Sequence, residues 1–120
     1  MEDELKVSIK EWPDNPPASL RLLRLWAEAA SDFWDKPIED LKSKRRTLDL
    51  VWPRSVCMSL AKNGGYTSAI IGKFWNRHHS TVLHAVNLVT SLRDHSEAYE
   101  LQYRQFLVFT QKYIQHKDRH

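Results

Sequence analysis

The residues with chemistry to offer are gathered in one short stretch. His78, His79, Ser80 and Thr81 stand together, His84 and Asn87 follow, and a run of cations lies upstream. Metal ligation, nucleophilic catalysis and hydrogen bonding to a polyanion compete as explanations. A helical metal site needs ligands at i and i+4, but His79 and His84 are i and i+5 and no cysteine or carboxylate completes a set. Nothing marks a nucleophile or an oxyanion site, so no enzyme activity is expected. Asn63-Gly64-Gly65 is the only glycine-rich patch and reads as a helix stop; without a GxxxxGK[ST] loop no nucleotide, and no other cofactor, is expected. Hydrogen bonding to a polyanion is left. Ser80, Thr81, His84 and Asn87 are uncharged and short enough to sit against base edges or phosphates, where an ordinary exposed helix face would carry Glu and Lys.

Charge is distributed to match. Residues 1–17 carry −3 and residues 18–41 carry −2. Residues 42–77 then hold Lys42, Lys44, Arg45, Arg46, Arg54, Lys62, Lys73 and Arg77 against Asp49 alone, for +7, and the remainder sums to +1. A net charge of only +3 thus hides one strongly basic third, as expected of a surface that meets nucleic acid; a solvated basic loop would look the same by charge alone. The single cysteine, Cys57, lies in an apolar run and reads as a small buried hydrophobe in a reducing compartment. No apolar stretch is long enough to span a membrane and the N-terminus is acidic, so a cytoplasmic protein is expected.

The elements that must position these residues are helical almost throughout. Residues 1–17 end in Trp12-Pro13-Asp14-Asn15-Pro16-Pro17 and read as an acidic, partly ordered leader; residues 18–116 read as one helical domain. Leu20, Leu22, Leu23, Trp26, Ala27, Ala30, Phe33 and Trp34 recur at helical spacing and predict a long first helix from Ala18. Pro37 starts a short helix to about Ser43, with Glu39 and Asp40 in its first turn. The run 44–49 lacks periodicity and predicts a basic loop. A third helix is expected from about Pro53 to Gly64, and a fourth, capped by Thr67 or Ser68, carries Ile70, Ile71 and Phe74. Trp75-Asn76-Arg77-His78 reads as the turn to a fifth helix from Ser80, whose inner face is Val82, Ala85, Val86, Val89 and Leu92. A sixth, from about Ser96 to Gln115, packs Tyr99, Tyr103, Phe106, Leu107 and Tyr113. The fold class is all-α, a bundle of about six helices. Its short fourth helix, tight turn and fifth helix make a helix-turn-helix, with Gly72 permitting close approach.

Several strings resemble the C-terminal DNA-binding domain (domain IV, a Trp-repressor-like helix-turn-helix) of the bacterial replication initiator DnaA. Asp40-Leu41-Lys42-Ser43-Lys44-Arg45-Arg46 is similar to its basic loop, and Pro53-Arg54 before VCMSLAK to the start of the next helix. Ile71-Gly72 leads to His79-Ser80-Thr81-Val82-Leu83-His84-Ala85, the most specific match, and the likeness covers roughly residues 20–110. The resemblance implies double-stranded DNA as partner and a part in regulating replication or transcription, at sites like the family's box. It implies base reading by Arg46 (minor groove), Arg54, His78, His79, Ser80 and Thr81, and backbone contact by Lys44, Arg45, Lys62 and Arg77. His84 is open between a DNA contact and a structural residue.

The departures bear on specificity. His78 stands where the family has an aspartate, Ser55 replaces a longer polar residue, and the turn 74–78 is one residue shorter and lacks the family's glycine pair. The initiator's ATPase portion has no counterpart here, so a free-standing reader is the expectation. The alternative from another class is an adaptor that acts on the initiator or its regulators without reading DNA. The acidic leader and Tyr99, Tyr103, Phe106, Phe109 and Tyr113 would then form the partner surface. The basic set Arg45, Arg46, Arg54, Lys62 and Arg77 beside His79-Ser80-Thr81 favours DNA, because an adaptor has no need of it. The five tryptophans are expected in the core, although Trp52 and Trp75 lie near the proposed DNA face.

Overall fold

The computed structural model describes residues 16–118, and within them the chain is six helices and their connections. These are α1 (Pro16–Trp34), α2 (Ile38–Leu41), α3 (Leu48–Asn63), α4 (Ser68–Trp75), α5 (His79–His95) and α6 (Glu97–Asp118). Most of the expected acidic leader lies outside the described residues. Helix α1 begins at Pro16, two residues before the expected start, with both prolines in a first turn where their missing N–H groups cost nothing. Its Leu23, Trp26, Ala27 and Ala30 are buried, the i, i+3, i+4, i+7 stripe that faces a core. Asp35 stops the helix in a left-handed conformation (φ 54°), and the Lys36 N–H returns to the Ser31 carbonyl at 3.0 Å.

Helix α3 departs furthest from expectation. It starts at Leu48, five residues before Pro53, so that Thr47 is its cap residue and the basic loop lies at 42–47, two residues earlier than the expected 44–49. Pro53 lies inside the helix and fully buried, and its apolar packing offsets the one backbone bond its ring removes. Leu50, every residue from Trp52 to Ser59, and Ala61 are buried. The middle of the helix, 52–59, therefore shows no solvent stripe, and α3 packs on α1, α2, α4 and α5.

The remaining joints follow local chemistry. The Thr67 hydroxyl accepts from the Ile70 N–H at 3.2 Å and starts α4, while the α3 end at Asn63 comes just before Gly64 and Gly65, the latter at φ 99°. Helix α4 continues through Trp75, leaving a turn of three residues, 76–78, in place of the expected four. Asn76 takes a left-handed position (φ 56°, ψ 50°) of the kind glycine fills most easily, which asparagine tolerates better than most side chains. On α5, Val82, Ala85 and Val89 are buried, as expected, with Val86 and Leu92 half-buried.

Helix α6 returns along α1 and α5, and its aromatic side chains close the core. Phe106 meets Trp34 at 4.6 Å and Phe33 at 5.4 Å between ring centroids, and the Gln102 Oε1 accepts from the indole N–H of both Trp34 (3.0 Å) and Trp52 (3.1 Å). Trp26, Trp52 and Trp75 are buried; Trp12 lies outside the described residues. The aromatic partner surface expected on α6 is not presented. Tyr103 and Phe106 are buried, and Tyr99, Phe109 and Tyr113 are partly buried against the same core. Cys57 is buried, which pushes its thiol far up, away from the reactive thiolate form. No helix among the described residues is long and apolar enough to cross a membrane.

Candidate nucleic-acid interface

The site forms where the loop 42–47, the middle of α3 and the start of α5 face one another across an open cleft of about 790 Å³. Lys44 and Arg46 line it from the loop, Arg54 and Ser55 from α3, and His78, Thr81 and His84 from the turn and α5. The spacing of Thr81, His84 and Leu88 puts all three on one face of α5, with the buried Ala85 at its edge also lining the cleft and Val82 and Val89 turned into the core. Asn76 also lines the cleft, a residue that sequence reading took only for a turn former.

The entry to α5 is built around His78. Its Nδ1 accepts from the Ser80 N–H at 3.2 Å and lies 2.9 Å from the Ser80 Oγ, so the imidazole caps the helix. A ring nitrogen that accepts an amide proton carries none itself, which leaves the proton on Nε2 as a donor. His79, the first residue of α5, is exposed and its ring lies 4.1 Å from that of His78, while Ser80 and Thr81 are half-exposed. Behind this entry Gly72 has no room for a side chain. A Cβ there would stand 2.6 Å from the Arg77 carbonyl oxygen, with the His78 and His79 backbone at 3.4 Å. The close approach expected at Gly72 is therefore between α4 and the turn, tighter than a helix-to-helix contact.

The expected site residues divide sharply by environment. Lys44, Arg45 and Arg46 are exposed, and the one acid near Arg45 among the described residues is Asp40, at a long 4.0 Å. Arg54 is 7% exposed. Its Nε donates to the Leu41 carbonyl at 2.6 Å, and its Nη2 donates to those of Ser43 (3.0 Å) and Arg45 (3.2 Å). The arginine expected to read bases thus lies at the floor of the cleft with its guanidinium turned toward the backbone of the basic loop. Burial and the neighbouring Arg77 guanidinium pull its pKa down to about 10. Arg77, expected on a phosphate, donates through Nη1 to the carbonyls of Trp75 (3.1 Å), Asn76 (3.3 Å) and Lys42 (3.4 Å), and through Nη2 to that of Ser43. Lys62 is half-buried in the last turn of α3 and does not line the cleft. Lys42, over the Phe74 ring at 4.1 Å, is lowered by burial and then by Arg24.

A short helix, a three-residue turn and a second helix that offers its N-terminal residues beside a cationic loop define a helix-turn-helix protein. The family model for the bacterial DnaA protein helix-turn-helix matches residues 27–89, more than half of the chain, from within α1 to within α5. The chromosomal replication initiator protein DnaA of Gluconobacter oxydans is 42% identical over 71 residues, covering 58% of this chain and 15% of that protein. The proteins of the same name from Francisella tularensis subsp. novicida and Francisella philomiragia are each 36% identical over 80 residues, covering 62% of this chain and 16% of theirs. The chain belongs to the bacterial DnaA helix-turn-helix family, and it spans 15–16% of the length of these curated relatives.

Proposed function

We propose that this domain reads double-stranded DNA in a sequence-specific way, at sites similar to the family's box, and so takes part in regulating replication or transcription. The observation that carries the reading is the meeting of two unlike surfaces at one cleft. The uncharged hydrogen-bonding face of α5 lies beside exposed loop cations that, apart from the long Arg45–Asp40 contact, have no acidic partner among the described residues. In this reading residues 18–116 form the DNA-binding unit behind a leader of residues 1–17, the protein works in the cytoplasm, and it catalyses nothing.

The start of α5 enters the major groove, where the Thr81 methyl suits a thymine methyl and His79 and Ser80 face base edges. Arg46 is drawn into the neighbouring minor groove, whose negative potential is deepest where A·T pairs narrow it. Lys44 and Arg45 hold phosphates. His78 offers its Nε2–H, a donor suited to the O6 of guanine; an aspartate at that place offers only acceptors, suited to cytosine N4. A guanine preference at the base pair facing His78 follows.

Fluorescence anisotropy tests this with a duplex carrying the family's box and a scrambled duplex of equal composition, both at physiological salt. A preference of roughly tenfold or more, about 1.4 kcal/mol, supports sequence reading at the family's sites. Equal and salt-sensitive binding means a changed site, to be found by selection from random duplexes. Absence of binding to any duplex overturns the proposal.

A further inference from the structure

We infer that Arg77, together with Arg54, is a positioning residue that fastens the basic loop to the entry of α5, and is not itself a phosphate contact. This rests on the DNA-reading proposal and assigns a division of labour within it. Residues 44–47 donate no backbone-to-backbone hydrogen bond; the one backbone donor bond there, from the Arg45 N–H to the Ser43 Oγ, is 3.4 Å long. The loop's shape is therefore set from outside. Arg54 takes the carbonyls of Leu41, Ser43 and Arg45 from the α3 side. Arg77 takes those of Lys42 and Ser43 from the turn side, so the Ser43 carbonyl is shared by both guanidinium groups.

Arg77 is also anchored at its own backbone. Its N–H donates to the Gly72 carbonyl at 2.7 Å, and the next residue is His78, the cap of α5. Its side chain therefore spans from the start of the recognition helix to the loop that carries Arg46. Only a planar fork with several donors in fixed directions can satisfy carbonyls of the loop and of the turn at once, and a lysine ammonium cannot. The outcome is one rigid reading surface, with the spacing between Arg46 and the His79–Thr81 face fixed before DNA arrives. Ordering the loop in advance removes a cost that binding would otherwise meet.

A double-mutant cycle separates the roles. Arg46→Ala is expected to weaken binding to the preferred duplex by roughly tenfold in the native background. In an Arg77→Ala or Arg77→Lys background the same change is expected to cost less than about twofold, because a loosened loop no longer holds Arg46 in the groove. A phosphate contact predicts the opposite on both counts, with additive losses and with lysine restoring most of the affinity and the salt slope. Either result overturns the inference. A second arm needs no DNA. In the free protein, ¹⁵N order parameters of residues 44–46 should fall toward about 0.6 in Arg77→Lys while those of residues 82–89 hold. Unchanged loop values overturn the inference. If the native protein prefers no duplex, the DNA-reading proposal fails by itself, and the relaxation measurement still decides whether Arg77 fastens the loop.

Discussion

Two pairs of arginines sit toward opposite ends of α5 and are held in opposite ways. Arg93 and Arg104 converge on one carboxylate, with Arg93 Nε 2.6 Å from Glu100 Oε1 and Arg104 Nε 2.7 Å from Oε2. Arg93 also lies over the Tyr103 ring at 3.8 Å. Arg54 and Arg77 converge on carbonyl groups and, among the described residues, touch no acid. The first pair shares one counter-charge where it stands, with the Arg93–Glu100 contact tying the end of α5 to the start of α6. The second has its hydrogen bonds satisfied and its charge unspent, which suits a surface that meets a polyanion. A carboxylate in place of those carbonyls would hold the loop equally well and repel phosphate.

The contrast can be broken most severely at Gly72. Alanine there drives a Cβ against the Arg77 carbonyl, and the turn must shift. We expect a loss of ~1–3 kcal/mol in stability by denaturant unfolding, with DNA affinity lost alongside. A fully stable Gly72→Ala protein would mean that the turn gives way freely. Next in size, Arg54→Ala frees the carbonyls of Leu41, Ser43 and Arg45 and should cost ~1–3 kcal/mol of DNA affinity. Arg104→Ala, at a side chain 73% exposed, should leave affinity within measurement error. Equal effects of the two, read by anisotropy, would erase the distinction.

His78→Ala should cost about 1 kcal/mol of stability through the lost cap, and His78→Asn should restore it, because its amide oxygen can accept the same N–H. The variants also sharpen the specificity reading. Asn keeps a donor and should retain the guanine preference, whereas His78→Asp should shift it toward cytosine in a panel of single-base substitutions. Lys44→Ala should weaken all duplexes alike and flatten the salt slope by about one unit.

The smallest effect lies at the pair that shares a counter-charge. Hydrogen bonds from Arg93 and then Arg104 hold the Glu100 carboxyl below the usual glutamate range. A carboxylate with a depressed folded-state pKa adds stability that is present above the usual range and is lost as pH falls through the folded value. Glu100→Gln should therefore flatten the acid limb of a stability–pH curve while leaving DNA binding at neutral pH unchanged. An acid limb identical to that of the native protein would remove Glu100 from that account.

Much of this was legible in the order of residues. Ile70, Ile71 and Phe74, then His79-Ser80-Thr81 and the stripe Val82, Ala85, Val89, mark a helix-turn-helix because helical spacing alone sorts inner from outer positions. The exposed trio Lys44, Arg45 and Arg46 followed from the lack of periodicity around it. Helix α3 was read late, since Pro53 is a strong start signal and nothing local reveals that buried packing offsets a proline six residues in.

Side-chain types along the chain settled the all-α class, the entry to α5 and the basic loop, since these depend on propensity, spacing and charge that are local. The third dimension decided what the cations do. Arg54, Arg77 and Arg46 are alike in sequence terms, yet tertiary packing buries the first, bends the second back on the loop and leaves the third in solvent. A guanidinium takes its role from the acceptors around it, and those come from Leu41, Ser43, Arg45 and Trp75, brought near by the packing of α2, α3 and α4.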